Sequence, residues 1–416
     1  MTLDDSIFLG IYLLFPLLPF ALMSLSGIKI NSITIPSVFF CYYLCLSYIG
    51  TLPLYFGWSV YNAALGLDEP GIIFECMLYS GATLTIIFFT YFASSAWWGP
   101  AGVRKPSTDS KISLSGGSRT VMIGALTISI LVFIVYLFLL PKVPLFSAFL
   151  GENHTYYRSL AANAFQGPGR YHHYALFFEE ILPFTCFVFF ANALVEKSRI
   201  AWIIAILSTT AYTFSALALA TKAPLLWMIF GYMLVFFIQR SQRLNWRSGL
   251  IAISTILAGS VTVLSLFTTF ATYNLQKIFV SLGERVFSGS IAPSYFYLKL
   301  FPAEHDFLLG SSLPNPGQVF PWESFHLTRW VWQQALSHST AAHITGSAPT
   351  VFWVEMYANI GLLGPLLGGL IVGAGLYFAQ AFFDRLPRNP VQVGLLVWFV
   401  LYIIKLAETN LTQYFF

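Results

Sequence analysis

Ten apolar stretches of membrane-crossing length, joined by polar connections, constrain this chain more than any other feature. They lie near residues 6–26, 33–56, 71–96, 120–140, 175–195, 200–220, 224–239, 249–271, 353–379 and 391–409. A run of about 20 such residues crosses the hydrocarbon as a helix, because only a helix satisfies its own backbone there. Composition closes off the alternatives. Charged residues make up 9% of the chain, where a soluble domain carries roughly 25%, and 57% of it is hydrophobic. An outer-membrane barrel would show alternating strands of about 10 residues, which these runs are not. The expected fold is an all-α polytopic helical membrane protein, one integral membrane domain over residues 1–416. The start, Met-Thr-Leu-Asp-Asp, has no basic region, so the first run is expected to be a retained span. Cys41, Cys45, Cys76 and Cys186 lie inside apolar runs, without disulfide or metal-site spacing.

Charge placement sets the sidedness. Lys29, Arg104, Lys105, Lys111, Arg119, Lys197, Arg199, Arg240, Arg243, Arg247, Arg385 and Arg388 are 12 of the 21 basic residues, and all fall on one side of the alternating topology. The positive-inside rule makes that side cytoplasmic and turns both termini outward. Two long outward loops remain, about 141–174 and about 272–352, and all seven histidines lie in them: His154, His172, His173, His305, His326, His338 and His343. Lys142, Arg158, Arg170, Lys277, Arg285, Lys299 and Arg329 share these loops. Long loops translocate whatever their charge, which is one explanation. The other is an outward cationic site for an anionic, phosphorylated ligand.

Within the second loop, Leu275, Ile278, Phe279, Leu282, Val286 and Phe287 recur at helical spacing over Tyr273 to Ser288, predicting an amphipathic helix on the membrane surface. A second is expected from Pro321 to Ser337, with His326, Arg329 and Gln333 on one face and Trp322, Trp330 and Trp332 as headgroup anchors. Pro314 to Gly317 reads as a turn.

Several groupings can carry chemistry. Arg158 and Arg170 flank the bend Gly167-Pro-Gly169, which can fold two guanidiniums toward one anion. In the hairpin between the sixth and seventh runs, Thr221 is placed to N-cap the following helix, with Pro224 in its first turn and Lys222 beside it, a seat for phosphate or simply a snorkelling lysine. Glu355 is expected at the outer mouth of the ninth span, where a carboxylate is costly unless paired or working. Lys405 and Glu408 stand three residues apart in the last span and can pair. The adjacent His172 and His173 point apart, and with Glu179 and Glu180 they make a poor metal set. No phosphate-loop, dinucleotide, HExxH or GxSxG motif is present.

Taken together, these segments resemble the bacterial O-antigen polymerase family, the Wzy-type oligosaccharide repeat-unit polymerases. The resemblance rests on the Arg158-to-Gly169 spacing, Thr221-Lys222-Ala223, Glu284-Arg285-Val-Phe-Ser-Gly289, Phe301-Pro302 to Phe307-Leu-Leu-Gly310, and Gly346-Ser-Ala-Pro-Thr350 followed by Glu355-Met-Tyr357-Ala-Asn359-Ile-Gly361. It departs from the family at Lys222, where arginine is more usual, and in its smaller number of spans. The resemblance implies a GT-C-like enzyme in a bacterial inner membrane, its active site facing the periplasm. Its substrate would be an undecaprenyl-diphosphate-linked glycan. Partners would be the lipid bilayer, a flippase and a chain-length regulator, with no nucleic acid. The growing chain would leave its diphosphate for a sugar hydroxyl of the next unit. Arg158, Arg170, Lys222, Arg285 and Arg329 would contact the diphosphate, without metal or other cofactor, and Glu355, His343 or His338 would take the hydroxyl proton. Rival expectations are an O-antigen ligase using the same donor, and a GT-C enzyme using a polyprenyl-monophosphate sugar. The latter would need acids in early outward loops, where only Asp4-Asp5 and Asp68-Glu69 are available. A flippase or transporter is the non-enzymatic rival, disfavoured by the scarcity of ionisable residues at span centres.

The sidedness is testable by labelling. In a cysteine-free background, single cysteines at Ser159 and Ser311 should react with an impermeant maleimide in cells with a permeabilised outer envelope, and a cysteine at Ser110 should not. The reverse pattern would place the proposed site inside the cell.

Overall fold

The computed structural model describes residues 3–101, 113–140, 142–149, 170–240, 246–266, 275–313, 315, 319–335 and 346–414. Among them there is no β-strand, and nine helices are long and apolar enough to cross a membrane: Leu3–Leu25, Ile35–Tyr55, Pro70–Trp98, Gly116–Leu139, His173–Glu196, Arg199–Ala218, Ala223–Arg240, Leu363–Arg385 and Pro390–Ala407. The chain is an all-α, multi-pass membrane protein. The run expected at 249–271 is the helix Trp246–Leu266, whose described apolar part is Gly249–Thr262.

Where the sequence suggests one domain, the backbone groups into two compact units. The first comprises Met1–Lys105, Phe279–Asp384 and Tyr402–Phe416, and the second Pro106–Ile278 and Arg385–Leu401.

In the first unit, helix starts follow from local chemistry. The helix Ile35–Tyr43 (α1) opens with a capping box: Ser37 N–H donates to Thr34 Oγ1 at 3.4 Å, Thr34 N–H donates to Ser37 Oγ at 3.0 Å, and Pro36 needs no donor in that turn. A π-helical turn, Leu44–Tyr48, follows. There the Ser47 hydroxyl donates to Ala407 O at 2.6 Å. The long helix Pro70–Trp98 (α2) begins on proline and ends with Trp97 and Trp98 exposed, as an interfacial belt requires.

The helix Leu363–Arg385 (α3) packs on α2 through glycine. A Cβ at Gly369 would lie 2.8 Å from Ile86 Cγ2, and one at Gly373 would lie 2.4 Å from Ile87 O. Lipid offers apolar side chains no worse an environment than protein does. Helices inside a bilayer therefore gain by letting backbones approach, which small residues permit.

The structure corrects the ninth expected span. The run 353–379 is not one helix. A separate short helix, Phe352–Ile360 (α4), ends at Gly361, whose φ of 61° lies in the left-handed region, and α3 begins two residues later. The two run side by side in opposite directions: a Cβ at Gly364 would lie 2.1 Å from Met356 O, and one at Gly368 3.0 Å from the Phe352 ring. A continuously apolar run hides this elbow from hydropathy.

The second unit is assembled around the helix Leu182–Glu196 (α5), which is buried along most of its length. The ring of Phe187 occupies the space a Cβ at Gly231 would need, at 2.3 Å, and Val188 does the same for Gly394 at 2.5 Å. At one end of α5, Arg119 pairs with Glu196 at 2.5 Å, Asn192 and Ser198 also donate to that carboxylate, and Asn192 Oδ1 accepts from Leu114 N–H at 3.0 Å. Trp398 Nε1 donates to Glu180 at 2.7 Å.

The glycine contact gives a paired prediction. Gly373→Ala should destabilise the protein by roughly 1–3 kcal/mol, because its methyl meets a backbone carbonyl. Gly375→Ala, two residues on in open space, should melt like the parent in detergent. Equal melting of both variants would discard the close α2–α3 contact.

Candidate functional site

The first unit brings together, around Glu355, most of the segments that sequence reading singles out. Glu355 is fully buried on α4. The Ser312 hydroxyl donates to its Oε1 at 3.0 Å, and Thr412 N–H donates to its Oε2 at 3.0 Å. Asn359, one turn on, donates to Glu355 O at 2.8 Å and to Ser312 Oγ at 2.7 Å, and its Oδ1 accepts from Gly310 N–H at 2.9 Å. Leu308 N–H and Leu309 N–H donate to the carbonyls of Ala358 and Asn359 at 3.0 and 2.9 Å. The loop 308–312 thus caps the C-terminal end of α4, where helix carbonyls lack intrahelical partners.

This placement revises the role expected of Glu355. It stands on a separate short helix that packs against the first turns of the span Leu363–Arg385, and its partners are the Ser312 side chain, the Thr412 backbone and side chain and the Leu411 backbone instead of an arginine. Both carboxylate oxygens are occupied and neither faces solvent, so this geometry gives it no opening toward a reactant. Burial pushes its carboxyl pKa above the ordinary range, and the Thr412 and Ser312 hydrogen bonds pull it back only in part. What the carboxylate does here is tie the Ser312 loop and the C-terminal segment to α4.

The Gly346-Ser-Ala-Pro-Thr350 run is a strap. The ring of Trp332, on the helix Leu327–Ala335 (α6), lies where a Cβ at Gly346 would stand, at 2.5 Å, so a larger residue displaces the indole. Ala348 N–H donates to Thr328 O at 3.0 Å, and its carbonyl accepts from the Tyr297 hydroxyl at 2.9 Å. Thr350 N–H donates to Asn410 Oδ1 at 3.0 Å, and the Thr350 hydroxyl donates to Ser290 O at 2.9 Å. Sequence reading missed Ser312, Thr412, Asn410 and Tyr297. None carries a pattern, and their roles come from distant contacts.

The two interfacial helices appear in part. The first is Leu275–Phe287 (α7), with Val286 and Phe287 exposed. The second is shorter than expected: α6 leaves His326 outside, capping through Trp330 N–H to His326 O at 3.0 Å. Trp330 is not a bare headgroup anchor, since its ring packs against those of Phe301, His305 and Phe325 at 5.6, 5.1 and 5.7 Å. Trp322 stacks on Phe320 at 4.6 Å. Most of the turn expected at 314–317 lies outside the described residues.

The expected cations divide between the units. Arg285 and Arg329 belong to the first and are both exposed. Arg285 shares its surroundings with Glu408, a carboxylate that also accepts from Tyr42 and feels the charge of Lys405. Lys405 also stands 5.5 Å above the Tyr402 ring. Glu284 accepts from the Ser59 hydroxyl, and Gly289 allows the chain to pass close to Arg285 O and Tyr61 Oη. Lys222 and Arg170 belong to the second unit. Arg170 opens the short helix Arg170–Ala175. Arg158, His338 and His343 lie outside the described residues.

One sequence expectation about the hairpin fails. Thr221 does not N-cap the next helix: both its N–H and its hydroxyl donate back to Ala216 O at 3.0 Å, closing the preceding helix behind Ala220, whose φ is 52°. Pro224 does stand in the first turn of Ala223–Arg240. Asp68 and Glu69, the acids a monophosphate-sugar enzyme would need, are engaged by Lys299 at 3.9 and 2.6 Å, and Tyr295 donates to Asp68 at 2.8 Å. No cluster of three or more metal-ligating side chains occurs among the described residues.

No family model, curated protein or solved structure matches the chain.

The raised pKa of Glu355 has a signed consequence. A carboxyl whose folded pKa lies above its unfolded value, about 4.3, stabilises the protein fully below that pH and loses the contribution as pH rises through the folded value. Measured from about pH 4 to about pH 8, wild-type stability should therefore fall relative to Glu355→Gln, which cannot titrate. At low pH the variant should be the weaker by roughly 1–3 kcal/mol, because its NH2 group cannot satisfy the donors of both Ser312 and Thr412. A pH-independent difference would remove the desolvated carboxyl from the account.

Proposed function

We propose that this protein polymerises undecaprenyl-diphosphate-linked oligosaccharide repeat units into O-antigen or a related surface polysaccharide at the outer face of a bacterial inner membrane. One observation carries the reading. Three of the segments that resemble the O-antigen polymerases, Glu284–Gly289, Phe301–Gly310 and Gly346–Gly361, belong to one unit, and the last two are hydrogen-bonded to each other beside Glu355.

In this reaction the hydroxyl oxygen of the incoming unit's non-reducing sugar attacks the anomeric carbon of the growing chain. The bond from that carbon to the diphosphate oxygen breaks, and the polyprenyl diphosphate leaves. The resemblance implies Arg158, Arg170, Lys222 and Arg285, with Arg329 a weaker contributor, as the cations that offset the charge developing on the diphosphate without metal, and of these Arg285 and Arg329 belong to the unit that holds Glu355. The hydroxyl proton passes to His343 or His338, whose unperturbed pKa suits work near neutrality. Glu355 acts as a positioning residue, holding the Ser312 loop and the C-terminal segment together. The engagement of Asp68 and Glu69 by Lys299 speaks against the monophosphate-sugar alternative. An O-antigen ligase shares the donor chemistry and differs in its acceptor.

The reading is tested in two ways. Deleting the gene should leave surface glycan as one repeat unit on its anchor. Intact polymer that never reaches the anchor indicates a ligase. In vitro, chain growth on lipid-linked units should persist in EDTA. It should fall roughly 10- to 100-fold for Arg285→Ala or Arg158→Ala at wild-type expression, the loss expected of one charge-assisted phosphate contact worth about 1.5–3 kcal/mol. Unchanged chain-length ladders from the double variant exclude these residues from the mechanism.

A further inference from the structure

The elbow between α4 and α3 ends in an apolar tip. Leu362 and Leu363, which follow Gly361, are 68% and 60% exposed, and Leu309, in the loop that caps the elbow, is 77% exposed. Leu309 is held there. Its φ is 50°, a conformation a branched apolar side chain rarely adopts, and Gly310 follows at φ 99°. The flanking backbone is fixed by Leu309 N–H to Asn359 O, Gly310 N–H to Asn359 Oδ1 and Ser311 N–H to Leu308 O. A leucine kept in a left-handed turn by this many hydrogen bonds, with its side chain outward, is being presented.

What it is presented to follows from continuity. Leu363, Leu366, Leu367, Leu370 and Ile371 recur at helical spacing on α3 and are all exposed, the lipid-facing stripe of a span. The tip extends that stripe without interruption, since no charged residue occurs from Met356 to Phe383 or from Phe307 to Leu313. Charge returns just before the loop, where Glu304 and Asp306 are exposed. Apolar side chains on one side of Phe307 and carboxylates on the other mark a boundary between lipid and water.

We infer that Leu309, Leu362 and Leu363 are seated among the outermost acyl chains of the bilayer, so that the apolar tip of the capping loop is anchored at the membrane surface where α3 enters it, with the half-buried Ser311 on the water side. The inference does not depend on glycan transfer. It gives the 308–312 loop a fixed depth, and with it the donors that hold Asn359 and Glu355.

The experiment uses the full-length protein in phosphatidylglycerol–phosphatidylethanolamine liposomes. A nitroxide is placed in turn at residues 309, 362, 306 and 371 of a cysteine-free background, and its collisions with oxygen, which partitions into lipid, and with an aqueous nickel chelate are compared. Positions 309 and 362 should show an oxygen-to-nickel ratio several-fold above position 306 and close to that of the lipid-face control at 371. A ratio at 309 matching that at 306 overturns the inference. So does shielding of 309 from both reagents with spin–spin broadening, which would mean a second copy of the chain covers the tip. Each labelled protein should melt with its parent, since these side chains are exposed.

Discussion

The first unit is organised by one buried carboxylate. Taking Glu355 out of water is costly, and the structure offsets that cost by drawing in donors from two distant places, the Ser312 hydroxyl and the Thr412 backbone. Satisfying Glu355 therefore decides where the 308–312 loop and the C-terminal segment must lie. Asn359, one turn further on, then holds the same loop through Gly310 and Ser312. The Gly346–Thr350 strap is fixed from the other side by Tyr297 and Asn410. Remove the carboxylate and the donors of Ser312 and Thr412 are left facing a dry interior, a larger loss than the bonds themselves.

Hydropathy made the helical character and most spans legible, because the length of an apolar run is a direct consequence of bilayer thickness. The same measure failed at residue 361. Both arms of the elbow are apolar, so the run continues where the helix does not, and the sequence signal was only Gly361 and Gly364, two glycines among many. The Thr221 expectation failed for another reason. A threonine hydroxyl between two helices can serve either end, and the left-handed backbone at Ala220 turned it toward Ala216. The partners of Glu355, 43 and 57 residues away, were beyond any local pattern. Asn359 stands in the run Glu355–Gly361, but its work, pairing with a loop amide, could not be read from its position.

The resemblance and the geometry divide the labour between them. The chemistry of the proposed function, a diphosphate leaving group met by arginine and lysine, rests on the resemblance alone. The geometry supplies the frame: a motif such as Gly346-Ser-Ala-Pro-Thr350 is a strap with a glycine where an indole must lie, and Glu284–Gly289 is a helix end closed against Ser59 and Tyr61. Residues of these segments can thus serve architecture alone. The exposed Arg285 and Arg329 are the members of the set in this unit that remain open to an anion from solvent.

The cap on α4 has a consequence for hydration. The carbonyls of Ala358 and Asn359, the Asn359 side-chain oxygen and Glu355 Oε1 all take their donors from the single stretch 308–312. If that stretch lifts, four acceptors lose their donors together, and an apolar surrounding cannot replace them. The loop can therefore move only as fast as water follows it. Any opening of this region is a wetting event, and a dry elbow is a closed one.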